Sequence, residues 1–176
     1  TECRKYYPEF RVSINLSYVQ ILKSPLMMEL KQMIEHSGIS CSGIIVELTE
    51  SGYLEGTPAV RSVWNDMKQL RIQIALDDFG TGYSNLMNIS NLEPDIVKLD
   101  RGFTLKALSR SYEYQLMQYV IEMVHKLNQY VCVEGVETKE DLEKIKALGP
   151  DLIQGYYYSK PCSRDEFLKK FFGYSE

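Results

Sequence analysis

The sequence predicts an α/β fold in which a parallel β-sheet is covered by helices. Two observations indicate this fold. Six short apolar runs alternate with longer segments in which apolar residues recur at helical spacing. The runs are apolar at almost every position, as strands are when helices cover both faces of a parallel sheet. Two architectures remain open at this point, a doubly wound sheet and a (β/α) barrel.

The predicted strands follow one another along the chain without an intervening linker. They are Arg11–Asn15, Ile44–Leu48, Ile72–Leu76, Ile96–Leu99, Val131–Val133 and Leu152–Ile153. No proline-rich, glycine-rich or singly charged segment separates them. The length of 176 residues is that of one ordinary domain, so we expect a single domain.

Helices are predicted between the strands from caps and from apolar periodicity. Thr138 with Asp141, and Ser163 with Glu166, have the spacing of capping boxes at two helix starts. A helix that begins at Pro58 is expected to bury Val60, Val63, Trp64, Met67 and Leu70. The longest helix is expected to bury Leu116, Tyr119, Val120, Met123, Val124 and Leu127.

Composition narrows the functional classes. The chain has 20 basic and 24 acidic residues and a net charge of −4, so we expect no DNA or RNA partner. Four scattered cysteines form neither a zinc pattern nor a disulfide framework. No apolar stretch is long enough to span a bilayer. We therefore expect a soluble, cytoplasmic domain with reduced thiols.

Each predicted strand ends in, or is followed at once by, a polar or charged side chain. These residues are Asn15, Glu47, Asp77, Asp78, Lys98, Asp100, Glu134, Glu137 and Gln154. Barrels of the (β/α) type assemble their active sites at these strand ends, so the bias favours the barrel. Ordinary structural interpretations stay open. Asp77 and Asp78 could cap a helix, and Lys98 could be a salt-bridge partner. Glu47 and Asn15 could lie in solvated turns.

Convergence of these strand ends would crowd several carboxylates into one cavity. Like charges at close range raise one another's pKa, and a divalent cation relieves the repulsion. Oxygen ligands from Asp, Glu and Asn suit Mg²⁺, Mn²⁺ or Ca²⁺, whereas no convergent His or Cys indicates zinc or copper. Two such cations clamp the attacking and leaving oxygens in phosphoryl transfer, which is the chemistry that the pattern favours.

The motifs at these positions resemble those of the EAL domain family, the bacterial phosphodiesterases that cleave cyclic di-GMP. The similar segments are Val12–Ser17, Glu47–Ser51, Leu76–Ser84, Val97–Arg101, Glu134–Thr138, Gln154–Tyr156 and Ser159–Pro161. They follow the family's order over nearly the whole chain. The resemblance implies hydrolysis of cyclic di-GMP to linear pGpG, with two Mg²⁺ or Mn²⁺ ions, in bacterial second-messenger signalling.

The resemblance also implies roles for individual residues. The implied metal ligands are Asn15, Glu47, Asp77, Asp78 and Gln154. Glu134 would serve at the second metal or as the base for the attacking water, and Lys98 would orient that water or steady the phosphate. Glu50 would hold the loop that follows Asp78. The residues implied near the substrate groove are Asp100, Glu137, Tyr156 and Pro161.

The resemblance covers the C-terminal three-quarters of an EAL domain. The Glu-Ala-Leu signature, whose glutamate completes the first metal site, lies well upstream of Asn15 in family members. We therefore expect residues 1–176 to form one EAL-type (β/α) barrel that lacks its N-terminal strands and retains about six. The implied partners are cyclic di-GMP, a second copy in a homodimer and, in the parent protein, an upstream sensory or GGDEF-type domain or a membrane anchor. A non-hydrolysing cyclic di-GMP sensor and a dimerisation fragment remain alternatives.

Overall fold

The structure, a computed structural model, describes residues 2–22, 25–49, 58–81, 89 and 93–173. It contains one sheet whose neighbouring strands are all parallel. The strands are β1 (Val12–Asn15), β2 (Ile44–Thr49), β3 (Gln73–Phe79), β4 (Ile96–Leu99), β5 (Tyr130–Glu134) and β6 (Leu152–Gln154). They stand side by side in sequence order. A doubly wound sheet reverses its strand order at a switch point. The described sheet follows the sequence order from β1 to β6 without a reversal, so it is half of a barrel.

Helices connect the strands. Those in the described residues are Glu2–Tyr6, Tyr18–Leu22, Leu26–Ser37, Pro58–Gln69, Arg101–Ser109, Ser111–Lys126, Lys139–Lys146 and Arg164–Phe172, and a 3₁₀ turn spans Cys41–Gly43. Both predicted capping boxes are confirmed, at Thr138 and at Ser163. The two short helices before Pro25 are not predicted by the sequence, because five residues are too few to show a helical period. Within the described ranges, no helix is both long and apolar enough to cross a bilayer.

The main core lies between the outer face of the sheet and the helices. Its sheet side includes Val46, Ile74, Leu76, Val97 and Val131, all buried. The predicted face of the helix Pro58–Gln69 is confirmed, because Val60, Trp64 and Met67 are buried and the other two predicted residues are partly buried. Full burial of such a side chain contributes about 1.5–3 kcal/mol, so this layer stabilises the half-barrel.

The predicted buried face of the longest helix is only partly confirmed, because Val124 is buried and Val120 and Met123 pack partly buried against the core. The helix Ser111–Lys126 buries Met117, Ile121 and Val124, whereas Leu116 and Tyr119 are 42% and 65% exposed. Apolar residues fill two adjacent stripes of this helix, and periodicity alone cannot choose between them. Packing makes the choice. The helix Arg101–Ser109 and strand β5 cover one stripe, and the other stripe stays exposed.

The inner face of the sheet is built differently. Ile45, Ala75, Ile96 and Cys132 form a separate apolar cluster there. Burial raises the pKa of the Cys132 thiol to about 12, so this thiol stays neutral. A cavity of about 730 Å³ lies over this cluster, and it also extends to Glu47. The inner face therefore leads from an apolar layer to the polar strand ends.

Candidate active site

The polar side chains of the candidate site stand one layer above the inner apolar cluster. Residues two positions apart in a strand share a face, so a polar residue two positions after an inner apolar one also faces inward. The successive pairs are Ile45 and Glu47, Ala75 and Asp77, Ile96 and Lys98, and Cys132 and Glu134. The parallel register brings these strand ends to one edge of the sheet.

The Lys98 ammonium lies at the centre of the site and contacts three carboxylates. Its Nζ is 2.7 Å from Glu47 Oε2, 2.8 Å from Asp77 Oδ1 and 2.7 Å from Glu134 Oε1. These are the lengths of charge-assisted hydrogen bonds. Lys98 is only 4% exposed and Glu47 only 7%, so water screens the contacts weakly. Side chains from four strands thus meet at one cation, and the interpretation of Glu47 as a solvated turn residue is wrong.

Burial and close charges shift the pKa values in this cluster. Burial by itself lowers the pKa of the Lys98 ammonium, but the hydrogen bonds to its three carboxylate partners outweigh burial and raise that pKa. Lys98 therefore stays charged. Burial raises the pKa of the Glu134 carboxyl, and the hydrogen bond from Lys98 opposes this rise. The charges of Asp77 and Glu47 raise it further, so the net pKa of Glu134 is raised.

Strand β3 supplies two consecutive aspartates because it is bulged. Its register against β4 shifts between Leu76 and Phe79, so Asp77 and Asp78 together oppose Lys98 alone. Asp78 has a φ of +59°, in the left-handed region that aspartate enters more readily than most residues. Because β3 continues to Phe79, the interpretation of the two aspartates as a helix cap is wrong.

Asp78 adds a further acidic group beside the Lys98 cluster. Partial desolvation raises its pKa, the charges of Asp77 and Asp100 raise it further, and Lys98 opposes them. Asp100 is fixed by the backbone, because its Oδ1 accepts a 2.7 Å hydrogen bond from Gly102 N–H and caps the next helix. A helix start therefore holds a negative charge next to Asp78.

Two amide side chains flank the charged centre. In the register of the sheet, Asn15 lies opposite Glu47, and Gln154 lies opposite Glu134. Both amides are exposed, and Gln154 lines the same cavity as Glu47 and Lys98. The strand ends thus form an arc, with amides at its two ends and charged groups between them.

The rim of the site beside Glu134 contains an ion pair that the sequence does not predict. Arg101 Nη2 lies 2.7 Å from Glu137 Oε1. The stem of Arg101 packs on Gly135, whose φ is +80° and where a Cβ would overlap the arginine. The signal for Arg101 in the sequence is its place directly after Asp100 at a strand end. The rim is therefore cationic as well as acidic.

The residues implied at the substrate groove fall into two places. Tyr156 and Pro161 line the cavity that reaches Lys98, whereas Asp100 and Glu137 do not line it and stand at the rim. Contact with substrate stays a prediction for all four. Glu50, the residue implied to hold the loop after β3, lies outside the described residues.

The donor atoms fit a hard divalent cation. The strand ends offer carboxylate and amide oxygens, which suit Mg²⁺ or Mn²⁺. In the described part of the chain, however, no three His, Cys, Asp or Glu side chains are arranged so that they could hold a metal ion as they stand. The carboxylates of Glu47, Asp77 and Glu134 are directed at Lys98 instead. The chemistry of the ligands therefore fits a divalent cation, and in this structure three neighbouring carboxylates surround the Lys98 ammonium.

Fold and site together define a class of protein, a (β/α)-barrel protein with oxygen donors and a lysine at the carboxyl ends of its strands. The sequence pattern of the EAL domain matches residues 1–161, and the chain belongs to the EAL domain family. Over 160 residues it is 32% identical to the cyclic di-GMP phosphodiesterase PdeF of Escherichia coli K12, covering 91% of this chain and 21% of PdeF.

Two further relatives, MucR and BlrP1, are similar to this chain in structure as well as in sequence. The solved PaMucR phosphodiesterase in complex with cyclic di-GMP is 26% identical, with a TM-score of 0.86, covering 95% of this chain and 68% of that one. Pseudomonas aeruginosa MucR is a bifunctional diguanylate cyclase/cyclic di-GMP phosphodiesterase, of which the match covers 24%. Klebsiella pneumoniae BlrP1 with manganese and cyclic di-GMP is 25% identical, with a TM-score of 0.83, over 90% of this chain and 41% of that one. The chain spans about a fifth to a quarter of PdeF and MucR.

Proposed function

We propose that this chain is the catalytic part of a metal-dependent phosphodiesterase that hydrolyses cyclic di-GMP to linear pGpG. The observation that carries the proposal is the meeting of Glu47, Asp77 and Glu134 at the strand ends of an EAL domain. PdeF is named a cyclic di-GMP phosphodiesterase, and the MucR and BlrP1 structures contain cyclic di-GMP. The manganese in BlrP1 supports a divalent cation as the cofactor.

The chain's oxygen donors would hold two Mg²⁺ or Mn²⁺ ions. The proposed ligands are Asn15, Glu47, Asp77, Asp78 and Gln154. Such ions, when bound, lower the pKa of a water molecule and neutralise charge on phosphoryl oxygens. Glu134 is proposed to serve at the second metal or to accept the proton of the attacking water, because its carboxylate lies at the same strand ends as the proposed ligands. Lys98 carries a charge beside it that favours the anionic phosphate.

The cavity wall offers groups that could bind the nucleotide. Tyr156 is 54% exposed, and aromatic rings of this kind stack on nucleic acid bases. Lys160 Nζ lies 5.7 Å from the centroid of the Tyr156 ring and brings a positive charge to the same wall. Pro161 completes this wall, and Arg101 with Glu137 stands at the rim. Glu50 is proposed to hold the loop after β3.

Turnover of cyclic di-GMP tests the proposal. The complete protein is incubated with cyclic di-GMP and with Mg²⁺, Mn²⁺ or EDTA, and pGpG is separated by chromatography. We expect product with at least one metal and none with EDTA. A folded protein that makes no pGpG with either metal would contradict the proposal. Calorimetric binding of cyclic di-GMP without turnover would instead favour the sensor alternative.

We also infer that the parent protein supplies further strands upstream of residue 1, including the Glu-Ala-Leu glutamate. Two features support this inference: β1 and β6 are edge strands of the described sheet, and the match covers only 68% of the solved MucR phosphodiesterase. Barrels of this type typically take about 250 residues. A version extended upstream is expected to unfold at a higher temperature than residues 1–176. A sensory or GGDEF-type domain is proposed to lie further upstream, and the bifunctional name of MucR, a diguanylate cyclase as well as a phosphodiesterase, supports a second domain.

Self-association of two copies is part of the proposal. Tyr112, Leu116 and Tyr119 are 74%, 42% and 65% exposed along one face of the helix Ser111–Lys126. An exposed apolar stripe of this kind is typical of interaction surfaces. Light scattering is expected to give the mass of a dimer for the wild type and of a monomer for Tyr119→Glu. A wild-type monomer at high concentration would contradict self-association.

The proposed location is the cytoplasm, where a second messenger of this class acts. All four cysteines are free thiols, as reducing compartments maintain them. Fractionation of cells with an antibody against the protein tests the location, and recovery in the periplasm would contradict it.

A further inference from the structure

Lys98 occupies the position in the site where the carboxylates converge. Its three contacts with Glu47, Asp77 and Glu134 are all between 2.7 and 2.8 Å. The side chains involved are from 6% to 17% exposed, so the cluster is largely withdrawn from water. An ammonium has three N–H donors, and here each carboxylate receives a contact.

Such a cluster would be unstable without its cation. Three carboxylates this close repel one another, and weak screening makes the repulsion stronger than at the surface. Lys98 and Glu47 are 51 positions apart in the chain, so their contact also links strands that are distant in sequence. One buried ammonium therefore offsets part of the negative charge that the three carboxylates bring into the half-barrel.

We propose that Lys98 is the internal counter-cation of the metal site. In the metal-free protein its ammonium holds the Glu47, Asp77 and Glu134 carboxylates together, and it competes with divalent cations for their oxygens. This inference rests on the proposed function for the identity of the ligand, a hard divalent cation. Lys98 is here a positioning residue, and its effect is on the affinity for metal and on the stability of the metal-free protein.

Removing the ammonium should destabilise the metal-free protein and should strengthen its binding of metal. Lys98→Met leaves the three carboxylates without a counter-cation, so the metal-free protein loses at least about 5 °C in Tm. The same change removes a positive charge that opposes metal entry, so the Kd for Mg²⁺ falls at least about tenfold. A merely structural lysine would lower Tm without strengthening metal binding.

The experiment compares wild type, Lys98→Met and Lys68→Met without substrate. Lys68 forms a surface ion pair with Glu93 at 3.5 Å and controls for the loss of one positive charge. Tm is measured after removal of metal, and Mg²⁺ and Mn²⁺ are titrated calorimetrically. We expect both effects in Lys98→Met and neither in Lys68→Met. An unchanged or higher Kd in Lys98→Met overturns the competition.

A measurement on the wild type decides the matter if Lys98→Met does not fold. In protein labelled with ¹⁵N at lysine Nζ, the buried Lys98 ammonium should give a slowly exchanging signal without metal. Mg²⁺ should shift or remove that signal and leave the other lysines unchanged. A Lys98 signal that is unaffected at saturating Mg²⁺ overturns the proposal.

The outcomes separate this proposal from the proposed function. Strong metal binding without turnover contradicts the phosphodiesterase and leaves the role of Lys98 supported. Turnover with metal, combined with equal metal affinity in wild type and Lys98→Met, supports the phosphodiesterase and overturns the role of Lys98. If neither protein binds metal, both proposals fail.

Discussion

Carboxylates stand at both ends of the sheet, but they meet different partners there. At the amino end, Asp95 Oδ2 accepts a 2.8 Å hydrogen bond from Ile74 N–H, and Asp151 Oδ2 accepts one of 2.8 Å from Val131 N–H. At the carboxyl end, three carboxylates share the ammonium of Lys98. The same residue types therefore tie strands together through the backbone at one end and gather around a cation at the other.

The partner of an acidic side chain decides whether its carboxylate is available for chemistry. Asp95 directly precedes β4 and joins it to β3, and Asp151 directly precedes β6 and joins it to β5. His125 also contacts Asp151, with Nε2 2.9 Å from Oδ2. Groups that satisfy backbone N–H donors cannot leave them without cost. Carboxylates that contact a side-chain cation, as these three do, can exchange that cation for another ligand.

Asp77→Asn should have the largest effect of the substitutions considered, and it tests the role of the carboxylates at the carboxyl end of the sheet. The amide keeps the shape of the side chain but loses the charge that a metal ligand needs. Loss of groups that only support a ligand costs about 10–100-fold, so we expect a loss of at least about 100-fold in cyclic di-GMP turnover. Asp95→Asn is the matched control and should retain turnover. Similar losses in both variants would contradict the division between the two ends.

Asp95→Leu tests the amino end. It removes the acceptor of Ile74 N–H and should lower the free energy of unfolding by about 1–3 kcal/mol, measured by urea denaturation. Turnover per folded molecule should not change, because Asp95 lies away from the Lys98 cluster. Asp95→Asn keeps an acceptor oxygen and should lose much less stability. An equal loss in both substitutions would show that charge, and not the hydrogen bond, is what matters.

The affinity for Mg²⁺ should depend on pH because of the acids at the carboxyl end. The pKa values of Glu134 and Asp78 are raised above the ordinary 4.5 and 3.8, chiefly by desolvation. A metal binds the deprotonated forms, so affinity should rise with pH from these ordinary values up through the raised ones. Calorimetry across this range checks the trend. Affinity already constant just above the ordinary values would contradict the raised pKa values.

Asp78→Asn should have the smallest effect, and it acts on the metal-free protein. A raised pKa means that the folded state disfavours the Asp78 anion, so this group costs stability as the pH rises through its folded pKa. Asparagine also tolerates the left-handed backbone. We expect a Tm about 1–2 °C higher without metal at neutral pH. Asp165→Asn, at an exposed acid paired with Arg164, should show no rise. A lower Tm in Asp78→Asn would contradict the prediction.

Much of the fold could be predicted because its signals are local. Apolar runs identified all six strands to within a few residues, and the Thr138 and Ser163 caps located two helix starts. The buried stripe of the helix Ser111–Lys126 could be predicted only in part, because two apolar stripes compete and the neighbouring elements select between them. The bulge at Asp78 depends on the register between two strands and leaves no mark in the sequence.

The candidate site divides in the same way. Glu47, Asp77, Lys98 and Glu134 could be identified from the sequence alone, because each lies at or just beyond the carboxyl end of an apolar run. Their residue types also limit the chemistry to oxygen donors and one cation. What the order of residues leaves undecided is the partner of each charge. Asp95 and Glu134 are both acids at strand ends, yet one bonds to a backbone N–H and the other to an ammonium. That difference arises from contacts between distant segments, which exist only once the strands have packed side by side.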